Sequence, residues 1–277
     1  MSGGDRQALT AAGYLAILPW LSPDGFRNQM SASVRRSIEA NTSALTEEQR
    51  EAALKSALAQ LESRLSDSAA ADRDATAIPH ELGHMWLIRA FWPQMIEIEG
   101  GHYGGPGPDW LDELAAVLHE PETMAAQRRD HFAKRLNAIR AAQAKGEEVT
   151  DELLDLTAYL TKAHPVGGNP QELMAQTGGA PTTGGATIQV LTGAEAQRVS
   201  GDGSRFYLQS RLVADYVLER SGDPAIFGKI AAAMASDPDF GAWLSGNGHE
   251  HNLPGSIAAL EKNWLAWLDL KYPAAPS

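Results

Sequence analysis

The sequence predicts an α+β chain that is predominantly helical, and three observations predict it. Apolar residues recur at helical spacing from residue 46 to the C-terminal end. Only two short runs, "MIEIE" at 95–99 and "TIQVL" at 187–191, have the character of strands. No internal repeat is visible. At 277 residues and 43% hydrophobic content the chain is long enough to bury a core without staples.

The elements follow in order. The first 30 residues carry Gly, Pro and an apolar run, Tyr14 to Leu18, compatible with strand or helix. "TEEQ" at Thr46 to Gln49 has the form of a capping box, with Leu54, Leu58, Leu61 and Leu65 at helical spacing behind it. "SDSAAADRDAT" reads as a polar loop. A helix then starts at Pro79, where a first-position proline loses no needed hydrogen bond, and runs to Phe91 before Pro93. The Gly-Pro loop 100–108 delivers the chain into "DWLDELAAVLHE", with Asp109 as N-cap and Asp112 at the third helical position. Helices are expected over Met124 to Ala144 and Asp151 to Lys162, punctuated by Gly146 and Pro165. After a long Gly-rich loop come Ser204 to Arg220, stopped by Gly222, and Pro224 to Ala235, capped by Asp223. Ser256 to Leu270 closes the chain, with Ile257, Leu260, Trp264, Trp267 and Leu268 on one stripe.

Composition excludes several classes. A net charge of -12 repels nucleic-acid phosphates and anionic lipid, so no nucleic-acid partner is expected. With no cysteine, any metal must be held by His and carboxylate. No apolar run approaches the roughly 18 residues of a spanning helix, and "LTAAGYLAILPWL" lacks a basic region ahead of it. The expectation is a soluble chain without membrane insertion or signal peptide, of open compartment, with export possible had a targeting segment been removed.

Chemistry concentrates in "PHELGHMW", Pro79 to Trp86. H-E-x-x-H is expected by chance only about 0.02 times in such a chain. On a helix turning about 100° per residue, His80 and His84 lie about 40° apart and project the same way. Ile78, Leu82, Met85, Trp86, Leu87, Ile88 and Phe91 make the helix apolar nearly all round, which predicts burial. Buried imidazoles and the Glu81 carboxylate cost several kcal/mol unless paired or coordinated; Zn2+ satisfies them together, and the alternative is a pair of hydrogen-bonded core histidines with Glu81 in solvent. Leu87 and Ala90 stand where a metzincin needs Gly and a third His. A third ligand is then sought on a second helix. Glu113 sits there among Trp110, Leu114 and Val117, pointing toward the core, either as ligand or in a structural pair. Asp112, Glu120 and Glu122 read as cap or solvated-face residues. "GHEHN" (248–252) reads as a solvated loop, His102 and Tyr103 could line the site, and His119, His131 and His164 are lone histidines on or near helix ends.

"HELGH" followed by "PDWLDELAA" resembles the gluzincin zinc metallopeptidases of the peptidase MA-like superfamily, the thermolysin and aminopeptidase N catalytic-domain type. "RFYLQSRLVADYVLERSGDPAIFGKIAAAM" and "LEKNWLAWLD" are similar to its Tyr-led helical region. The resemblance covers Ala77 to Glu120 and Ser204 to Asp269. It implies a two-lobed catalytic domain with the HExxH helix at the cleft and a helical C-terminal lobe. Residues 1–120 would form the N-terminal lobe with both ligand helices, 121–200 a helical and loop insertion, and 201–277 the C-terminal lobe. Carried over by position, it implies one Zn2+ per chain on His80, His84 and Glu113, Glu81 as general base, and Tyr207 as the oxyanion donor. Leu114 replaces the family's Gly, and Val117 replaces the thermolysin-type aspartate four residues after the ligand glutamate, so a contact of that kind either comes from elsewhere or is absent. The implied activity is a peptidase on peptide or protein substrates, endopeptidase by default since no "GAMEN"-type segment is present. The rival is a non-catalytic metal-binding or scaffold protein retaining a gluzincin-like site.

Overall fold

The computed structural model describes residues 8, 11–12, 22–41, 46–64, 67–93, 107–149, 153–161 and 193–274. It is predominantly helical, with no strand among the described residues. Both strand candidates, the Tyr14–Leu18 run, His102, Tyr103 and His164 lie outside them.

The chain groups into two units, divided within one helix between Ile78 and Pro79. The first contains α1 (Pro23–Asn41), α2 (Glu47–Arg64) and the opening turns of α3 (Asp67–Phe91). Ser22 Oγ accepts from Gly25 N at 3.1 Å to start α1, and Phe26, Met30, Val34 and Ile38 make a half-buried stripe at four-residue spacing. The sequence reading did not anticipate α1. The capping box of α2 forms as expected: Gln49 N donates to Thr46 Oγ1 at 3.3 Å, and Thr46 N donates to Gln49 Oε1 at 3.0 Å. α1 packs on α2, with Arg27 3.5 Å from Glu62.

The expected polar loop before the motif is instead the start of α3. Five alanines between 69 and 77, the strongest helix formers, outweigh the aspartates that read as loop. Pro79 is therefore inside the helix, where it removes the donor that would reach the Ala75 carbonyl. The motif helix is also less buried than expected. His80, Gly83, His84 and Leu87 are buried, whereas Trp86 is 48% exposed.

The second unit holds the rest of α3, then α4 (Asp109–His119), α5 (Glu122–Lys145), α6 (Leu156–Thr161), α7 (Gly193–Ser221, after its first residue), α8 (Ile226–Met234), α9 (Phe240–Asn247) and α10 (Ile257–Lys271). Pro108, not Asp109, is the N-cap of α4, and Asp109 is its first helical residue. Pro121 keeps Glu120 extended and so ends α4 at His119. Gly146 closes α5 at φ 70° and Gly222 follows α7 at φ 65°, the left-handed conformation that favours glycine. The helix expected from Asp151 begins at Leu156, because Asp155 Oδ1 accepts from Ala158 N at 2.7 Å. Asp223 likewise accepts from Ala225 N at 2.9 Å, but α8 starts only at Ile226. α7 starts eleven residues earlier than expected and runs through Gly201 and Gly203, despite a propensity cost of about 1 kcal/mol each relative to Ala. α10 is capped by Ser256, whose Oγ accepts from Ala259 N at 3.2 Å, and buries Leu260, Trp264 and Leu268 as expected.

Trp264, Phe132, Tyr216, Phe206, Tyr159, Leu111 and Leu114 are among the largest fully buried side chains of this unit's core. α4 packs on α6 and α8, so the helix bearing Glu113 sits inside the unit. The stretch expected as a solvated loop is a 3-10 turn, Gly248–His251, in which His251 stacks on Trp243 at 5.8 Å.

Candidate metal centre

Two helices supply the centre. α3 presents His80 and His84 one turn apart, and α4 presents Glu113 among Leu111, Leu114, Ala116 and Val117, all at most 1% exposed. The helices meet at Gly83. A Cβ there would stand 2.8 Å from Ala116 Cα and 2.9 Å from the Ala115 carbonyl oxygen, so only glycine permits this approach.

His80 Nε2 lies 3.8 Å from Glu113 Oε1, and His84 Nε2 lies 3.9 Å from Glu113 Oε2. Both gaps are too long for hydrogen bonds. A tetrahedral site with bonds of about 2.0–2.2 Å separates its ligand atoms by about 3.3–3.6 Å, close to what is seen. The three residues are buried, and one ligand atom from each lies within 4.8 Å of the others.

The outer nitrogens each face a carboxylate. His80 Nδ1 is 2.9 Å from Glu120 Oε1, and His84 Nδ1 is 2.9 Å from Asp112 Oδ1. A carboxylate on Nδ1 makes that nitrogen the protonated one and turns the Nε2 lone pair inward, the arrangement that metal-binding histidines use. The donor set thus fits Zn2+. Asp112 and Glu120 are corrected from cap and solvated-face residues: they are 6% and 9% exposed and serve the two histidines. Glu122 does remain at the surface, paired with Arg129 at 2.6 Å.

Electrostatics follow the crowding of carboxylates. Burial pushes Glu113 up to about 8, against the pull of His80, His84 and Arg128. Burial opposes charge on His84, but the Asp112 hydrogen bond and the Asp112, Glu113 and Glu81 charges outweigh it and raise its pKa. Burial also opposes charge on Glu120, yet His80 and Arg128 hold it below the usual range.

Glu81 is half-buried, and its charge reaches His84. Tyr207 is not in the first turn of its helix, as a helix starting at Ser204 implied, but well inside α7. Its ring nevertheless meets that of His80, edge-on at 6.0 Å and 75°. His119 turns aside: its Nδ1 lies 2.7 Å from the Ala115 carbonyl oxygen, and its ring packs on Trp86. His131 is exposed within α5 rather than near its end.

Arg128 belongs to the site and was not found in the sequence. Its Nε donates to Glu120 Oε2 at 2.6 Å, and within the basic run "RRDHFAKR" nothing marked it out.

No protein-family model, curated protein or solved structure matches the chain. Among the described residues no helix is long and apolar enough to cross a membrane.

Proposed function

We propose that the chain is a zinc-dependent peptidase in which His80, His84 and Glu113 hold one Zn2+ and Glu81 is the general base. One observation carries the reading: two Nε2 atoms converge on a fully buried carboxylate at 3.8 and 3.9 Å while a carboxylate oxygen stands 2.9 Å from each Nδ1 atom. A hydrogen-bonded histidine cluster would close those inner gaps. When bound, Zn2+ supplies Lewis-acid chemistry, polarising a carbonyl and lowering the pKa of water to about 7.

The chain's own residues do the rest. Glu81 follows His80 by about 100° of helical turn, so its carboxylate sits beside the ligands without joining them. There it accepts a proton from the attacking water and passes it to the leaving amine. The Tyr207 phenol, on the ring beside His80, donates to the developing oxyanion, a contact worth about 3 kcal/mol. The substrate class is peptide or protein, and endopeptidase action is the default. The reading extends to the fold as a gluzincin-like two-lobed catalytic domain.

The test is Glu81→Gln in a peptide-library assay. Zinc content and fold should persist while turnover falls 100-fold or more. Equal turnover by the variant, or none by the zinc-loaded wild type, would favour the non-catalytic metal-binding reading.

A further inference from the structure

Arg128 joins two features that the proposed reaction uses separately. Its guanidinium grips Glu120 with two arms, Nε donating to Oε2 at 2.6 Å and Nη2 donating to Oε1. That same Oε1 is 2.9 Å from His80 Nδ1. The Arg128 Cζ also stands 5.4 Å from the centroid of the Tyr207 ring, and this ring packs edge-on against His80. His80, Glu120, Arg128 and Tyr207 thus form a closed circuit of contacts.

Each contact constrains a different freedom. A two-armed guanidinium fixes the rotation of the carboxylate it holds, which a lysine, as a single point charge, cannot do. The fixed carboxylate fixes the imidazole plane of His80. The guanidinium carbon stands over the Tyr207 ring, where its positive charge is attracted by the ring's π electrons. With side chains only 16% and 3% exposed, Arg128 and Glu120 lie where an unpaired charge is costly, so the pair is held together.

We propose that Arg128 is a positioning residue that orients His80 through Glu120 and holds the Tyr207 ring, so that one guanidinium sets both metal affinity and the placement of the oxyanion donor. The role of Tyr207 in it rests on the zinc-peptidase reading.

The test uses the full chain. Zinc Kd is measured by chelator competition for wild type, Glu120→Gln, Arg128→Met and the double variant. Each single change should weaken zinc about 10- to 100-fold, with the double no weaker than the worse single because both act through one contact. At saturating zinc, Arg128→Met should lower kcat, and that loss should vanish in a Tyr207→Phe background. Arg128→Lys, which keeps the charge and loses the fork, should shift in the same directions and serves if Arg128→Met does not fold. A folded Arg128 variant with wild-type Kd, losses that multiply in the double, or a kcat loss independent of the Tyr207 hydroxyl overturns the proposal. Failure of the peptidase reading shows separately, in the wild type: absence of zinc removes both proposals, and zinc without turnover removes the Tyr207 half of this one.

Discussion

His84 Nδ1 stands 2.9 Å from Asp112 Oδ1, the residue immediately before Glu113. A single turn of α4 therefore supplies both a candidate ligand and the group that orients another ligand on α3. Asp112→Ala should weaken zinc binding about 10- to 100-fold while the fold persists, read by chelator competition alongside circular dichroism. An unchanged Kd would mean that His84 needs no help from Asp112.

Gly83 sets the distance between the two helices. Gly83→Ala places a methyl 2.8 Å from Ala116 Cα, a backbone atom that cannot move without shifting α4. Overpacking of this kind costs about 1–3 kcal/mol. The expected result is a lower Tm in denaturation of the chelated protein, together with weaker zinc binding as Glu113 is displaced. A variant as stable as wild type would show that the helices have slack.

Protons and metal should compete at the centre. Glu113 is raised from 4.5 to about 8 and His84 is raised above 6.5, so the folded metal-free protein binds more protons here than the unfolded chain does. Their contribution to stability is present at low pH and declines as pH rises from about 4.5 toward 8. Metal binding releases the same protons and gains from rising pH. The Tm difference between zinc-loaded and chelated protein should therefore widen from pH 6 to pH 8, by calorimetry in matched buffers. A difference that narrows over that range contradicts the assignment.

Tyr207→Phe removes only a hydroxyl and keeps the ring that packs on His80. With zinc content and Tm unchanged, kcat should fall about 100-fold, as for loss of one oxyanion donor. If kcat holds and only KM rises, Tyr207 binds substrate and does not serve the transition state.

The parts of this fold legible in sequence are those set by local chemistry. The Thr46 capping box, the Gly146 and Gly222 stops and the apolar stripe of α10 depend on residues a few positions apart, and each forms as expected. His80 and His84 were legible for the same reason, since one helical turn relates them. Where punctuation conflicted with tertiary context, the reading failed. Pro79 and Gly203 read as boundaries but lie inside α3 and α7, because the helices continue through residues that local propensity disfavours. The outer carboxylates were hidden for another reason. Glu120 meets His80 across 40 residues, and only the structure shows that an acidic side chain beside Pro121 is buried against Arg128. Glu113 stands between these cases: its place on an apolar face was readable, whereas its convergence with both Nε2 atoms required the structure.

Whether these three side chains hold one Zn2+ is read most directly by elemental analysis of purified wild type beside His80→Ala/His84→Ala and Glu113→Gln. The wild type should carry about one zinc per chain, as for a site with three protein ligands, and the double histidine variant and Glu113→Gln should lose it after brief chelation, with all chains folded. Equal metal content in folded wild type and double variant, or a wild type that takes up none, would contradict the zinc site.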